Sequence, residues 1–192
     1  MVTDYPIVDF TEKPAKDKEI KYPFAGGKSH EVTVGVFDIT TGKTLYLKTG
    51  LPKDHYLTNI AWSPDEKSIY IAELNRDQNE MNLNQYNAST GDFVKTLFTE
   101  KDEKYSEPLH PIEFVPRNPN QFVWQSRRDG WNHLYLYKID GTLVRQLTKG
   151  TWEVIDVAGF DAKAANIYFT STINSGINRD FCVTSVATGK AK

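Results

Sequence analysis

A tight turn of the form Thr-Gly or Asp-Gly recurs along this chain at nearly constant spacing. Its glycines are Gly42, Gly91, Gly141 and Gly189, and they lie 49, 50 and 48 residues apart. The turns follow short stretches in which apolar and polar residues alternate, as in VTVGVFDIT and LYLYKID. No segment shows the periodicity of an amphipathic helix. A repeat of this length, made of strand-like stretches and turns, predicts a modular all-β architecture.

Four strand-length segments fit into each repeat. The first full repeat contains YLTNIAWS, SIYIAEL, MNLNQYN and FVKTLFT, and the second contains HPIEFV, QFVWQS, HLYLYKI and LVRQLT. Because one four-stranded sheet cannot bury both of its faces alone, such repeats stack around a central axis as propeller blades. We therefore predict an all-β chain, a partial β-propeller with four-stranded antiparallel blades of about 49 residues. A β-sandwich with coincidental spacing is the alternative.

The predicted blades divide the chain as a fragment of one propeller domain spanning residues 1–192. The divisions are a partial or irregular lead-in at 1–31, a half blade at 32–49, blades at 55–99 and 108–148, and an incomplete blade at 153–189. These partial blades suggest a piece of a longer protein that cannot close a ring alone. The segment DFCVTSV would then be an open sheet edge, so we expect possible self-association through exposed edge strands.

Charge and composition exclude several classes of function. The net charge is −2, with 23 basic and 25 acidic residues, which gives no reason to expect nucleic acid as a partner. No apolar run approaches the roughly 18 residues of a membrane span, and no signal peptide is recognisable. A single cysteine excludes a disulfide within the chain. The four histidines are scattered without a ligand motif, so we expect no metal and no cofactor.

The segment QSRRDGWNHLYLYKIDGTLVRQLTKGTWEVIDV at 125–157 resembles the propeller of bacterial dipeptidyl peptidase IV, a serine peptidase of the prolyl oligopeptidase type. Segments 22–43 and 60–92 resemble the same region in the same order. The resemblance implies an enzyme with an N-terminal eight-bladed propeller and a C-terminal α/β-hydrolase domain. It also implies release of Xaa-Pro dipeptides from peptide N-termini, and a periplasmic or secreted location for the whole protein.

The residues that would perform this catalysis are not found in the sequence. It contains no Gly-x-Ser-x-Gly nucleophile motif, so we predict no catalytic residue and no enzymatic activity for this chain. The expected function is that of a non-catalytic propeller portion that shapes substrate access. Its expected partners are the C-terminal hydrolase domain and the peptide substrates of the whole protein. The alternative is a stand-alone propeller-type module for protein interaction.

Strand order indicates which loops share one end of the predicted blades. In an antiparallel meander, the turn between the second and third strands lies at the same end as the link to the next blade. In enzymes that the chain resembles, the equivalent of the link at 99–109 approaches the outer substrate subsites. The candidate substrate-side residues are Tyr105 and Glu107 from this link and Arg127, Arg128, Asp129 and Trp131 from a second-to-third turn.

Each of these residue types also has a purely structural interpretation. Asp129 can accept backbone hydrogen bonds within its turn, and Arg128 can pair locally. Trp131 and Trp152 flank strands, where packing between blades is expected. The aromatic residues at equivalent positions of successive repeats, namely Trp62, Phe114 and Phe160, are predicted to lie in the core.

Overall fold

A computed structural model describes residues 1–190, and in that range the chain forms β-strands and no helix. The strands are β1 (Asp4–Asp9), β2 (Lys16–Lys21), β3 (Gly35–Asp38), β4 (Lys43–Tyr46), β5 (Tyr56–Trp62), β6 (Ser68–Leu74), β7 (Glu80–Asn87), β8 (Phe93–Lys101), β9 (Glu113–Phe114), β10 (Gln121–Ser126), β11 (His133–Lys138), β12 (Leu143–Gln146), β13 (Val154–Phe160), β14 (Asn166–Ser171) and β15 (Asp180–Ser185). The predicted all-β class is confirmed.

The strands form antiparallel sheets whose members follow one another along the chain. Strands β5 to β8 and β9 to β12 make two four-stranded sheets, and β13 to β15 make a three-stranded sheet. Strands β3 and β4 form a two-stranded sheet, as do β1 and β2. Such meanders, one after another, are the building units of a propeller.

The hydrophobic core lies between neighbouring sheets. Strand β6 illustrates how one strand serves two interfaces, because successive side chains point to opposite faces. Ile69 and Ile71 pack toward the β3–β4 sheet, whereas Tyr70, Ala72 and Leu74 pack toward the β9–β12 sheet. A third cluster joins the β9–β12 sheet to the β13–β15 sheet through residues that include Leu134, Leu147, Ile167 and Phe169. Both four-stranded sheets are therefore covered on both faces.

Three of the recurring glycine turns, those of Gly91, Gly141 and Gly189, touch the preceding sheet. A Cβ added at Gly91 would lie 2.5 Å from a backbone carbonyl oxygen, and at Gly189 it would lie 3.0 Å from one. At Gly141 the approach is closer still. The backbone atoms contacted are those of Tyr46 for Gly91, Leu97 for Gly141, and Gln146 for Gly189. At these three positions the glycine is thus a contact point between sheets as well as a turn residue.

The lead-in at 1–31 contains a regular hairpin that the sequence did not reveal. Strands β1 and β2 pair in register over six residues each, from Asp4 with Lys21 to Asp9 with Lys16. An ion pair of 2.6 Å joins Lys21 to Asp4, and Tyr5 packs against Tyr22. The sequence KDKEIK of β2 does not indicate a strand, because it lacks alternation of apolar and polar residues.

The prediction that Trp62 belongs to the core is wrong, because 47% of this residue is exposed. Trp62 pairs with Ile69 across β5 and β6, on the face that looks toward the β3–β4 sheet. That sheet has only two strands, and it covers Ile69 without covering the ring of Trp62. The equivalent residues Phe114 and Phe160 are half-buried and pack against core clusters.

Candidate functional site

Loops meet at one end of the four-stranded sheets, as the strand order predicts. The segment that follows β8 lies against the turn between β6 and β7. The Ser106 N–H donates to the Gln78 carbonyl at 2.7 Å, and the Asp102 N–H donates to the Asn79 carbonyl at 3.0 Å. Two backbone hydrogen bonds therefore fix the link between the two sheets to the neighbouring turn.

A cleft of about 250 Å³ lies between this link and the turn that follows β10. Four of the six predicted substrate-side residues line it, while Asp129 and Trp131 are not among the lining residues. The cleft is lined by Thr99, Glu100, Lys101, Asp102, Tyr105, Ser106, Glu107, Arg127 and Arg128. The structure thus brings Tyr105 and Glu107 together with Arg127 and Arg128, although about 20 residues of sequence separate the two pairs.

Arg128 is held firmly at the wall of this cleft. Its guanidinium group lies 4.3 Å from the centre of the Tyr135 ring, a distance typical of a cation–π contact. The same group donates to Glu100 Oε1 at 2.5 Å, to the Tyr137 hydroxyl at 2.5 Å and to Ser126 Oγ at 3.0 Å. With three hydrogen bonds and a cation–π contact, Arg128 is a well-anchored part of the wall.

Glu100 is a partner of Arg128 in the cleft wall that the sequence analysis does not predict. Its Oε1 accepts hydrogen bonds from Arg128 and, at 2.9 Å, from the Trp124 indole N–H. Burial alone would lower the pKa of Arg128, but the Glu100 carboxylate and the Tyr137 hydroxyl together outweigh this effect, so the pKa is raised. No motif signals the pair, because Glu100 ends one sheet and Arg128 follows a strand of the next.

Arg127 connects the cleft to the next link along the chain. Its guanidinium pairs with Glu153 Oε1 at 2.9 Å, and Glu153 Oε2 accepts the Asn132 N–H at 2.9 Å. The buried Asn132 side chain donates to Gln125 Oε1 and to the Val154 carbonyl. This network fixes the turn after β10 to the β13–β15 sheet.

The remaining candidates lie outside the cleft. The interpretation of Asp129 as a backbone acceptor within its turn is corrected by the structure, where its Oδ2 accepts the Gln146 side-chain amide at 2.7 Å. The packing interpretation of Trp131 is wrong, since 39% of this residue is exposed. Trp152, in contrast, stacks on Phe169 between two sheets as expected.

The cleft combines charged side chains with an exposed aromatic ring. The cleft mixes the acidic groups of Glu100, Asp102 and Glu107 with basic groups, and it is open to solvent on the side of Tyr105, which is 57% exposed. Within residues 1–190, no group of three or more His, Cys, Asp and Glu side chains is placed to hold a metal ion. Over the same range, no helix is long and apolar enough to cross a membrane.

Known proteins resemble this chain in both sequence and fold. The family model described as the dipeptidyl peptidase IV N-terminal region matches residues 1–192. The chain belongs to the dipeptidyl peptidase IV family. A crystal structure assigned to a dipeptidyl aminopeptidase IV of Bacteroides ovatus superposes with a TM-score of 0.90 at 42% identity, covering 100% of this chain. The dipeptidyl peptidase 4 of Porphyromonas gingivalis shares the fold, with a TM-score of 0.83 at 24% identity and the same coverage.

This member of the dipeptidyl peptidase IV family spans only part of its relatives. Dipeptidyl peptidase 4 of Arthroderma otae is 29% identical over 164 residues, which is 82% of this chain and 21% of the relative. Dipeptidyl peptidase 4 of Trichophyton rubrum is 28% identical over 162 residues, again 82% of this chain and 21% of the relative. The chain covers 29% of the Bacteroides structure and 27% of the Porphyromonas structure. The chain therefore matches less than a third of the length of these relatives, and the matching family model describes an N-terminal region.

Proposed function

We propose that this chain is the non-catalytic propeller portion of a dipeptidyl peptidase IV-like serine exopeptidase, and that it shapes the access of peptides to the catalytic domain. The observation that carries the proposal is the cleft that joins the link after β8 to the turn after β10. Its wall is fixed by Arg128 and Glu100, while Tyr105 and Glu107 line it beside them. A rigid wall with exposed side chains at its mouth favours selective contact with a passing peptide.

The proposed substrates are peptides with an Xaa-Pro N-terminus, which a C-terminal α/β-hydrolase domain would cleave. That domain is the proposed partner of this chain, because the relatives are several times longer than the matched region. We also propose a periplasmic or secreted location for the whole protein, in keeping with the extracellular peptides on which such an exopeptidase acts. Fractionation of the source cells, followed by detection of the protein, tests the location.

The cleft is tested in a protein as long as the relatives, in which this chain forms part of the N-terminal region. Tyr105→Ala is expected to lower kcat/KM for peptides of six or more residues by about tenfold, equivalent to about 1.4 kcal/mol of lost contact. Hydrolysis of a short Xaa-Pro chromogenic substrate is expected to change by less than about twofold, because that substrate does not reach the cleft.

Trp131→Ala provides the matched control for Tyr105→Ala. Both residues are exposed aromatic side chains of loops at the same end of the sheets, but Trp131 does not line the cleft. The control is expected to leave both activities unchanged. Equal kcat/KM values for the wild type and Tyr105→Ala on the longer peptides would refute the proposed role of the cleft.

Self-association of the isolated chain is a further part of this proposal. The outer face of the β13–β15 sheet carries Phe181, which is 68% exposed and stacks on Tyr168. Exposed aromatic side chains beside an open sheet edge favour pairing with another chain. Light scattering over a concentration series is expected to show an apparent mass that rises with concentration, whereas a constant monomer mass would contradict it.

A further inference from the structure

A groove of about 480 Å³ lies between the β9–β12 and β13–β15 sheets, at the end opposite the cleft. It is formed by the turns between first and second strands and by the turn after β15. Arg117, Arg145 and Lys163 stand at its rim. We call this site the basic groove. It shares no lining residue with the cleft.

The three cations of the basic groove have no carboxylate partner in the part of the chain that the structure describes. None of them takes part in an ion pair within 4.0 Å. Asp161 belongs to the turn that carries Lys163, but its carboxylate accepts the backbone N–H groups of Lys163 and Ala165 at 3.2 and 2.8 Å. Its other oxygen accepts the Asn166 side-chain amide at 2.5 Å. In a chain with a net charge of −2, these cations give the rim of the groove a local positive charge.

The walls of the basic groove add apolar surface to this charge. Val115, Leu136 and Val186 line it and are almost completely buried, with exposed fractions of 4%, 3% and 6%. Asn166 also lines the groove, and its buried Oδ1 atom has no hydrogen-bond donor in the described residues.

We propose that the basic groove binds an acidic peptide segment that carries an aliphatic side chain between its carboxylates. Three separated cations match several carboxylates better than one compact anion. The aliphatic side chain fits the apolar walls. A sulfated polysaccharide would match the charges but has no aliphatic side chain for the apolar walls, so charge and apolar surface together favour a peptide.

The test measures the binding of fluorescein-labelled peptides to the full 192-residue chain by fluorescence anisotropy. The probe has the sequence Glu-Leu-Glu-Ala-Glu. One comparison peptide has glutamine for each glutamate, and a second has serine for leucine and alanine. Both are expected to bind at least about tenfold more weakly, because one lacks the charges and the other lacks the apolar contact.

The triple substitution Arg117→Gln, Arg145→Gln and Lys163→Gln removes the charges of the groove. It is expected to weaken binding of the acidic probe by more than about tenfold. The matched control is Lys18→Gln, Lys43→Gln and Lys67→Gln, which changes net charge by the same amount at exposed lysines outside the groove. The control is expected to bind within about twofold of the wild type, and melting temperatures of both variants verify folding.

The outcomes separate the possible ligands. Binding that needs both the glutamates and the leucine, and that is lost only in the groove variant, supports the proposal. Absence of binding at millimolar chain, or equal loss in both triple variants, would overturn it. Tighter binding of a heparin oligosaccharide than of the acidic probe, with the same dependence on the groove cations, would also overturn it and would assign the site to anionic polysaccharides.

Discussion

The turns that contain Gly42 and Gly91 have the same backbone and differ in what lies beside them. The two glycines have φ values of +68° and +72°, and each donates its N–H to the carbonyl four residues earlier, at 2.8 and 2.9 Å. A Cβ on Gly42 would meet no atom within 4 Å, whereas a Cβ on Gly91 would lie 2.5 Å from the Tyr46 carbonyl oxygen. The Lys48 N–H also donates to the Gly91 carbonyl at 2.8 Å.

This comparison shows that the repeated glycine satisfies two separate requirements. Both turns need a residue that tolerates positive φ, which glycine does without steric cost. Only the Gly91 turn also needs a residue without a side chain, because a strand of the preceding sheet passes against it. The first requirement is local and readable from the sequence. The second depends on which sheet is the neighbour.

Gly91→Ala is expected to have the largest effect, lowering the free energy of unfolding by about 3 kcal/mol. Roughly 1 kcal/mol comes from placing an L-residue at positive φ, and the remainder comes from forcing the β4 strand away from the turn. Urea denaturation followed by tryptophan fluorescence measures the change. A loss below about 1 kcal/mol would mean that the two sheets separate at this point without cost.

Gly42→Ala is the matched variant and is expected to cost only about 1 kcal/mol in the same experiment, since strain at positive φ is its single penalty. A cost equal to that of Gly91→Ala would show that the Gly42 turn is covered in solution, for example by a second copy of the chain. In a longer protein in which a further sheet packs against the Gly42 turn, the cost of Gly42→Ala is expected to rise to that of Gly91→Ala.

The sequence predicts the strands and turns well because both follow from local rules. Alternating residues fix strands such as β6, and Thr-Gly marks the turns at positions 42 and 91. Contacts between sheets are not local, which explains the errors. Trp62 lies at a position that is apolar in each repeat, which predicts a core residue. The neighbouring β3–β4 sheet has only two strands, however, and leaves the ring exposed. Glu100 was missed as the partner of Arg128 because only packing of two sheets brings them together.

Asp92→Asn tests a weaker contact of the covered turn. Lys48 Nζ lies 2.5 Å from Asp92 Oδ1, so this pair joins the Gly91 turn to the segment after β4. Hydrogen bonds from Lys48 and Thr90 lower the pKa of Asp92. Both side chains are more than half exposed, so the expected result is a small fall in melting temperature at low salt. The difference should vanish at about 0.5 M NaCl, and a fall that persists there would indicate a structural role other than the ion pair.

Acidification is expected to weaken the Gly42 turn but not the Gly91 turn, and this is the smallest of the expected effects. Asp38 Oδ1 accepts the N–H groups of Thr40 and Thr41 at 2.8 and 3.2 Å, and Asn87 Oδ1 accepts those of Ser89 and Thr90 at 2.9 and 3.1 Å. The backbone N–H of Thr40, followed by the contacts of Thr41, lowers the pKa of Asp38. The asparagine in the other turn does not titrate.

A lowered pKa in the folded state determines the direction of the pH effect. The stability from Asp38 is fully present above the unfolded pKa of about 3.9, and it is lost as pH falls through the lower folded value. Amide exchange, corrected for its intrinsic pH dependence, is expected to show lost protection at Thr40 and Thr41 below about pH 4 but not at Ser89 and Thr90. Asp38→Asn should abolish this difference, because the amide keeps its acceptor oxygen at every pH. Equal loss of protection in both turns of the wild type would instead indicate unfolding of whole sheets by acid, and the turn carboxylate would then not be the group responsible.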